Sequence, residues 1–261
     1  MTASVEIRQV APHRATNSRG SALFPDEPQT LAELFVQAAS KHDRSDALTY
    51  KRDGVWQHIS SQKMIERIGR VALGLYSLGL RKGDRVAVLA TNSPEWTLTD
   101  AACQFAAVLD VPIYPTLAAN SVRYILDDSG ARILIIEDLA AYERVRAEIA
   151  QCDSIEKFVF FDNAGVDIDK AMSFAELEER GRELAEDQPE LLNSLMGSTS
   201  RDDIATIIYT SGTTGEPKGV MLTHANIISN VFDAGEEYDF SEDDVSLSVL
   251  PLCHIFERTG L

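Results

Sequence analysis

Tyr209-Thr210-Ser211-Gly212-Thr213-Thr214-Gly215-Glu216-Pro217-Lys218-Gly219 is the stretch whose reading decides the fold. Three glycines and a proline rule out a helix interior, where glycine costs about 1 kcal/mol and proline about 3. Both residues also weaken a strand ladder, so most of the stretch reads as a loop. Its backbone N–H groups are poorly shielded, and glycine lets them fold into an anion-binding concavity. Four Ser and Thr hydroxyls add donors, and Lys218 supplies the point charge that a phosphate attracts.

The flanks place this loop between two strands. Ile204 to Tyr209 is a β-branched apolar run, and Val220 to Leu222 is a second short one. Thr223 then caps a helix running through Val231, with Ile227, Ile228 and Val231 on one face. A Walker A loop is excluded. Counted from Gly212, Pro217 stands where the second glycine belongs, and Lys218 is followed by Gly219 instead of Ser or Thr.

Composition narrows the partners. The 261 residues carry a formal net charge of −17, with 44% hydrophobic residues. That is enough apolar material for one large or two smaller globular units. The acidic surface disfavours nucleic acid and anionic lipid, so any site for an anion must be locally electropositive. Cys103, Cys152 and Cys253 are widely spaced, with neither a metal pattern nor a paired framework. Their sparseness suits a reducing cytosol. No run reaches the roughly 18 apolar residues of a membrane span. Residues 1–21, with Arg8, Arg14 and Arg19 against Glu6, read as a disordered tail.

From Thr30 the chain reads in order. Thr30 and Glu33 form a capping box for a first helix. Asp53-Gly54 joins two strands, Ala47 to Arg52 and Val55 to Ser60, in a hairpin. Ser61 caps a long helix that stops at Gly79. Strands at Arg85–Ala90, Val111–Tyr114, Arg132–Ile136 and Lys157–Phe161 alternate with helices, one of them opened by Ser93-Pro94 and running to about Leu109. The spacing predicts a mainly parallel sheet covered on both faces. An acidic helix follows from Ser173, capped with Glu176, then a short helix and linker to Ser200. The strand pattern resumes at Ile204 and again at Val245 to Leu250.

The Tyr209–Gly219 stretch resembles the phosphate-binding motif of the adenylate-forming, or AMP-binding, superfamily. Leu250-Pro251-Leu252-Cys253-His254-Ile255-Phe256-Glu257-Arg258-Thr259-Gly260 is similar to the next motif of that superfamily. Its Ile-Phe-Glu-Arg-Thr-Gly continuation, with Val111-Pro112-Ile113-Tyr114-Pro115-Thr116, looks most like the long-chain fatty acyl-CoA synthetase branch. The resemblance implies an α/β fold with two stacked αβ subdomains of mainly parallel sheets flanked by helices, plus the N-terminal hairpin. One subdomain takes residues 22–60 and 201–261 and carries the phosphate loop; the other takes 61–200. It also implies ATP-dependent activation of a long-chain fatty acid to acyl-CoA through an acyl-adenylate, with ATP, Mg2+ and CoA. Thr210, Ser211, Gly212, Thr213, Thr214, Gly215 and Lys218 would hold the phosphates, and the Thr210 hydroxyl would meet the magnesium ion.

His254 is placed beside the reacting carboxylate by the resemblance; from its neighbours alone, a hydrogen-bonded structural histidine is the simpler reading. His13, His42, His58 and His224 receive no role. Cys253 is not read as a nucleophile, because neighbours on a strand point to opposite faces. Glu257 and Arg258 are read as a helix-start pair outside the site. Two rival functions stay open: an acyl-AMP ligase or adenylation domain feeding a carrier protein, and a non-catalytic nucleotide-binding interaction module. The family's adenine, ribose and C-terminal lysine groups are not found before Leu261, so the chain is expected to be an N-terminal piece that does not turn over alone. An apolar edge at Val245–Leu250 is then expected to drive self-association. The reading places the parent enzyme in the cytoplasm, with room for peripheral contact at the inner membrane face.

Overall fold

The computed structural model describes residues 27–210, 216–237 and 244–259. The expected 1–21 tail and the loop residues Ser211 to Gly215 lie outside them. Helix α1 (Leu31–Lys41) precedes a hairpin, β1 (Leu48–Arg52) and β2 (Val55–Ile59). Asp53 and Gly54 both have positive φ, 51° and 79°, as a two-residue hairpin turn requires. Helix α2 (Ser61–Ser77) follows, then β3 (Arg85–Leu89), α3 (Pro94–Phe105), β4 (Leu109–Ile113), α4 (Ala119–Ser129), β5 (Ile133–Ile136), α5 (Leu139–Ile149) and β6 (Lys157–Phe160). Next come β7 (Ala171–Ser173), α6 (Phe174–Asp187), α7 (Leu191–Met196), β8 (Ile204–Thr210), β9 (Lys218–Thr223), α8 (His224–Glu237) and α9 (Ile255–Thr259).

Among the described residues the main sheet has seven strands in the order β7-β6-β5-β3-β4-β8-β9. All its pairings are parallel except β8 with β9. Strand alternation sends Val86, Ile133 and Ile135 to one face, where α2, α3, α6 and α7 cover them. Ala87, Leu134 and Ile136 go to the other, under α4 and α5. Covered by helices on both faces, the central strands β3 and β5 are almost wholly aliphatic, as the sequence pattern predicts. Two glycines set the α2–α6 spacing. A Cβ on Gly181 would lie 1.7 Å from the Arg70 carbonyl oxygen, and one on Gly74 2.3 Å from that of Leu177.

Several local expectations shift. The cap of α2 is Ser60, whose hydroxyl accepts from Lys63 N; Ser61 instead bridges Arg44 N and the His42 carbonyl. Thr30 caps α1 through Glu33 N, but the Glu33 carboxylate reaches back to Gln29 N, one residue before the position a capping box uses. Ser173 and Glu176 do form the complete box. Helix α3 ends at Phe105, because the chain reverses through Ala107 (φ 58°) to enter β4 two residues earlier than expected. Strand β7 is an addition to the sequence reading.

The largest correction is at Val245–Leu250, which is not a strand. Residues 244–249 have no assigned secondary structure. Val245, Leu247 and Val249 are 84%, 77% and 70% exposed. No described strand lies beside them, and a ladder cannot exist without a neighbour. The side chain of Asn92 holds the segment instead, donating to the Leu250 carbonyl (2.7 Å) and to Ser248 Oγ (3.1 Å).

Candidate active site

The phosphate-loop residues that can be placed lie at the mouth of the β8–β9 hairpin. Thr210 pairs in register with Lys218, and Tyr209 with Gly219. Directly opposed residues present their side chains on one face, so Thr210 and Lys218 stand side by side, both exposed. Tyr209 points the other way, into the core beneath α4. Its hydroxyl donates to Asp128 Oδ2 at 2.6 Å. Burial and that carboxylate push the phenol's pKa above its usual range. The ring crosses Gly219 so closely that a Cβ there would meet Tyr209 Cζ at 3.1 Å and Ile207 Cγ2 at 2.9 Å. Gly219 is therefore a packing requirement rather than loop slack. On the α4 side of the hairpin, Asp127, Asp128, Glu148 and Glu216 share a cleft with Arg123, which pairs with Asp127 and Glu148.

The second motif crosses the C-terminal ends of β3 and β4. Leu252 is buried against Val88, Ala90 and Trp96, and its N–H donates to Asn92 Oδ1 at 2.9 Å. Pro251 to His254 forms a turn, with His254 N donating to Pro251 O. Cys253 turns inward, where burial pushes its thiol up to about 11, too high for a nucleophile at neutral pH. Tyr114, just beyond β4, lies near enough to Cys253 for its phenol's pKa to be raised by burial first and by that thiol second. His254 faces outward and caps α9: its Nδ1 accepts from Phe256 N at 3.2 Å. That bond places the ring proton on Nε2 and leaves the Nε2–H as a donor toward solvent. Among the described residues no hydrogen bond joins His254 to Thr210 or Lys218. Both motifs lie toward the C-terminal ends of the parallel strands β3, β4 and β8, the end where open α/β sheets bind ligands.

Arg258 is not a helix-start partner of Glu257. Its guanidinium is almost fully buried, with Nε 2.8 Å from Asp100 Oδ2 and Nη2 2.9 Å from Asp110 Oδ1. Asp110 is 1% exposed; burial, which outweighs the attraction of Arg258, pushes its carboxyl up to about 7. Sequence reading missed this cluster. Its signal was an aspartate inside an apolar run, Leu109-Asp110-Val111, which needs a buried cation somewhere in the chain. His224, given no role, is buried and structural: Nδ1 accepts from Leu31 N at 3.1 Å, tying α1 to α8.

Comparison with known proteins settles the family. The sequence profile of the AMP-binding enzyme family matches residues 35–261. The chain belongs to the AMP-binding enzyme family. It is 33% identical over 217 residues to fatty acyl-CoA synthetase A of Dictyostelium discoideum, covering 78% of this chain and 31% of that protein. It is 32% identical to the peroxisomal long chain acyl-CoA synthetase 7 of Arabidopsis thaliana, covering 91% and 35%. Among solved structures, the N-terminal domain of FACL13 from Mycobacterium tuberculosis superposes with a TM-score of 0.71 at 28% identity, covering 89% of this chain and 54% of that one. The fatty acyl-adenylate ligase from L. pneumophila, solved with acyl adenylate and pyrophosphate, shares the fold at a TM-score of 0.67 and 21% identity, covering 90% and 37%. The chain spans about a third of the length of the curated relatives it matches.

The donor set is compatible with a nucleotide-bound magnesium ion. No cluster of three His, Cys, Asp or Glu capable of holding a metal by itself occurs among the described residues. Magnesium held mainly by phosphates and water needs few protein oxygens, and the exposed Thr210 hydroxyl is one.

Proposed function

We propose that the protein takes part in the ATP-dependent activation of a long-chain fatty carboxylate, first to the acyl-adenylate and then to acyl-CoA. The observation that carries this reading is the register pairing of exposed Thr210 with exposed Lys218 at the β8–β9 mouth, with the exposed His254 in a turn at the same end of the sheet. In the first step a carboxylate oxygen attacks the α-phosphorus of ATP, and the bond to the bridging oxygen breaks with its electron pair leaving on pyrophosphate. That step needs charge held on the leaving group more than it needs proton transfer. Lys218 and the Thr210 hydroxyl, with Ser211, Gly212, Thr213, Thr214 and Gly215, grip the β- and γ-phosphates. A magnesium ion at Thr210 supplies further charge neutralisation when bound. His254 donates its Nε2–H to the acyl group and orients it. In the second step the CoA thiolate attacks the acyl carbonyl and AMP departs.

We take the β4–β8 seam as the boundary between the two αβ subdomains, 22–60 with 201–261 and 61–200. In support, Pro112 brings no N–H to the middle of β4. Among the described residues, Asp110 and Thr206 are the registered pair there. The exposed Val245, Leu247 and Val249 support self-association, which light scattering across a wide concentration range checks. A cytoplasmic location, with peripheral contact at the inner membrane face, accords with the lack of any described helix long and apolar enough to cross a membrane.

The deciding test is isotope exchange between pyrophosphate and ATP in the full-length parent protein, run with fatty carboxylates of several lengths, followed by product analysis with CoA and with a carrier-protein pantetheine. Exchange stimulated by long-chain carboxylates and a CoA thioester product supports the reading. Exchange with transfer only to the carrier favours the acyl-AMP ligase class. Nucleotide binding with no exchange favours a non-catalytic module.

A further inference from the structure

We propose that Asp110 is a positioning residue that holds the phosphate-loop hairpin and the His254 turn in a fixed mutual register; this rests on the function proposed above. One buried carboxylate touches both the strand that leads into the first motif and a residue of the second. On the hairpin side, Thr206 lies on β8 four residues before Thr210, and its hydroxyl is 3.2 Å from Asp110 Oδ2 and 3.1 Å from the Asp110 carbonyl oxygen. On the turn side, Arg258 lies four residues after His254, and its Nη2 donates to Asp110 Oδ1. Arg258 N in turn closes α9 onto the His254 carbonyl. Gln104 braces the centre, with Nε2 3.2 Å from Asp110 Oδ1 and 3.4 Å from Asp100 Oδ1.

Stability alone is a poor reason for this cluster. Two carboxylates share one guanidinium out of water, and the penalty of desolvating such groups often exceeds their attraction. Arg258 Nη1 and Gln104 Oε1 also find no partner among the described residues. Apolar side chains of similar volume would cost less. What the cluster provides is direction: charge-assisted hydrogen bonds have narrow geometry. A helix as short as α9 has no stability of its own to hold His254 in place. Reacting groups misplaced by about 1 Å lose on the order of 100-fold in rate, so a shared anchor beneath both motifs has a direct consequence for the chemistry.

The test uses the full-length parent protein carrying Asp110→Asn, Thr206→Val, Arg258→Lys and the Thr206→Val/Arg258→Lys pair, with Ile135→Ala as a destabilised control outside the cluster. In pyrophosphate exchange, Asp110→Asn is expected to lower kcat about 10-fold or more. Thr206→Val and Arg258→Lys are expected to be non-multiplicative, the pair within about 2-fold of the poorer single variant. Ile135→Ala, compared at a temperature where it remains folded, is expected to keep wild-type kcat. Multiplicative effects, or a control that loses as much rate as Asp110→Asn, overturn the proposal. A second readout needs no catalysis: 15N NMR of the His254 ring should report the Nε2–H tautomer in the wild type and a tautomer mixture in Asp110→Asn and Arg258→Lys. If the wild type shows no exchange with any fatty carboxylate, the functional reading fails, and an unchanged His254 tautomer in both variants then overturns the positioning role separately. Should Asp110→Asn not fold, Thr206→Val with Arg258→Lys carries the test.

Discussion

Strand β5 and the 244–250 segment are both short runs rich in aliphatic residues, yet they end in opposite environments. Ile133 to Ile136 lie between β3 and β6, paired in register on both sides and at most 1% exposed. Val245, Leu247 and Val249 project into solvent, and the side chain of Asn92 does for this backbone what a neighbouring strand does for β5. The difference teaches that apolar alternation marks a segment able to be a strand, while a ladder needs a partner at the right spacing. In β5 the partner comes from right-handed βαβ crossovers that the local chain supplies. Among the described residues no such local unit flanks 244–250.

The contrast can be broken most severely where the packed half leaves no room. Gly181→Ala should destabilise the fold by about 3 kcal/mol, since the new Cβ meets the Arg70 backbone, which has no flexible end to yield. Urea unfolding checks this, and a loss under about 1 kcal/mol would mean that α2 and α6 separate easily. Ile135→Ala should cost about 2–4 kcal/mol, the range for a cavity in a close-packed core.

The pH dependence of stability sharpens the comparison from two buried groups of opposite sign. Burial pushes the His224 imidazole down to about 4, with Lys82 and Arg258 adding to the shift and Asp203 opposing it. A histidine held neutral in the fold binds fewer protons than in the unfolded chain. Its contribution is therefore full above about pH 6.5 and is lost as pH falls toward 4, by at most about 3 kcal/mol. Asp110, pushed up to about 7, runs the other way: the folded state holds the extra proton, so stability falls as pH rises from about 4 to 7. The two slopes oppose each other in the wild type. His224→Asn should unmask a decline in unfolding midpoint with rising pH, and Asp110→Asn a rise. Identical slopes in all three proteins would contradict the burial argument.

At the small end, Ser60→Ala should cost about 1 kcal/mol as the true cap of α2. Leu247→Ala, an aliphatic change in the unpaired segment, should move stability by no more than about 0.5 kcal/mol. If Leu247→Ala costs as much as Ile135→Ala, the segment is packed in solution and the contrast disappears.

The doubly wound region was legible because its central strands β3, β4 and β5 are buried on both faces and bounded by caps and glycines that act locally. Ser93-Pro94, Ser173 with Glu176, and Asp53-Gly54 settle their turns within four residues of chain, so a linear reading finds them. The hairpin around Lys218 was legible for the same reason. What lay out of reach was the pairing of polar and charged groups far apart in sequence. Arg258 with Asp110 and Asp100, Tyr209 with Asp128, and His224 with Leu31 are contacts across 81 to 193 residues. No local rule selects among 24 basic and 41 acidic residues.

By itself, then, the sequence determined most of the helices, strands and turns, and marked one loop whose composition suits a phosphate, because propensity, alternation and capping act over a few residues. Only the tertiary structure decided that Arg258 is buried, that His224 ties α1 to α8, and that 244–250 stays unpaired. Burial of a charge and closure of a ladder depend on which distant groups the sheet order brings alongside, and that order is a property of the whole packed chain.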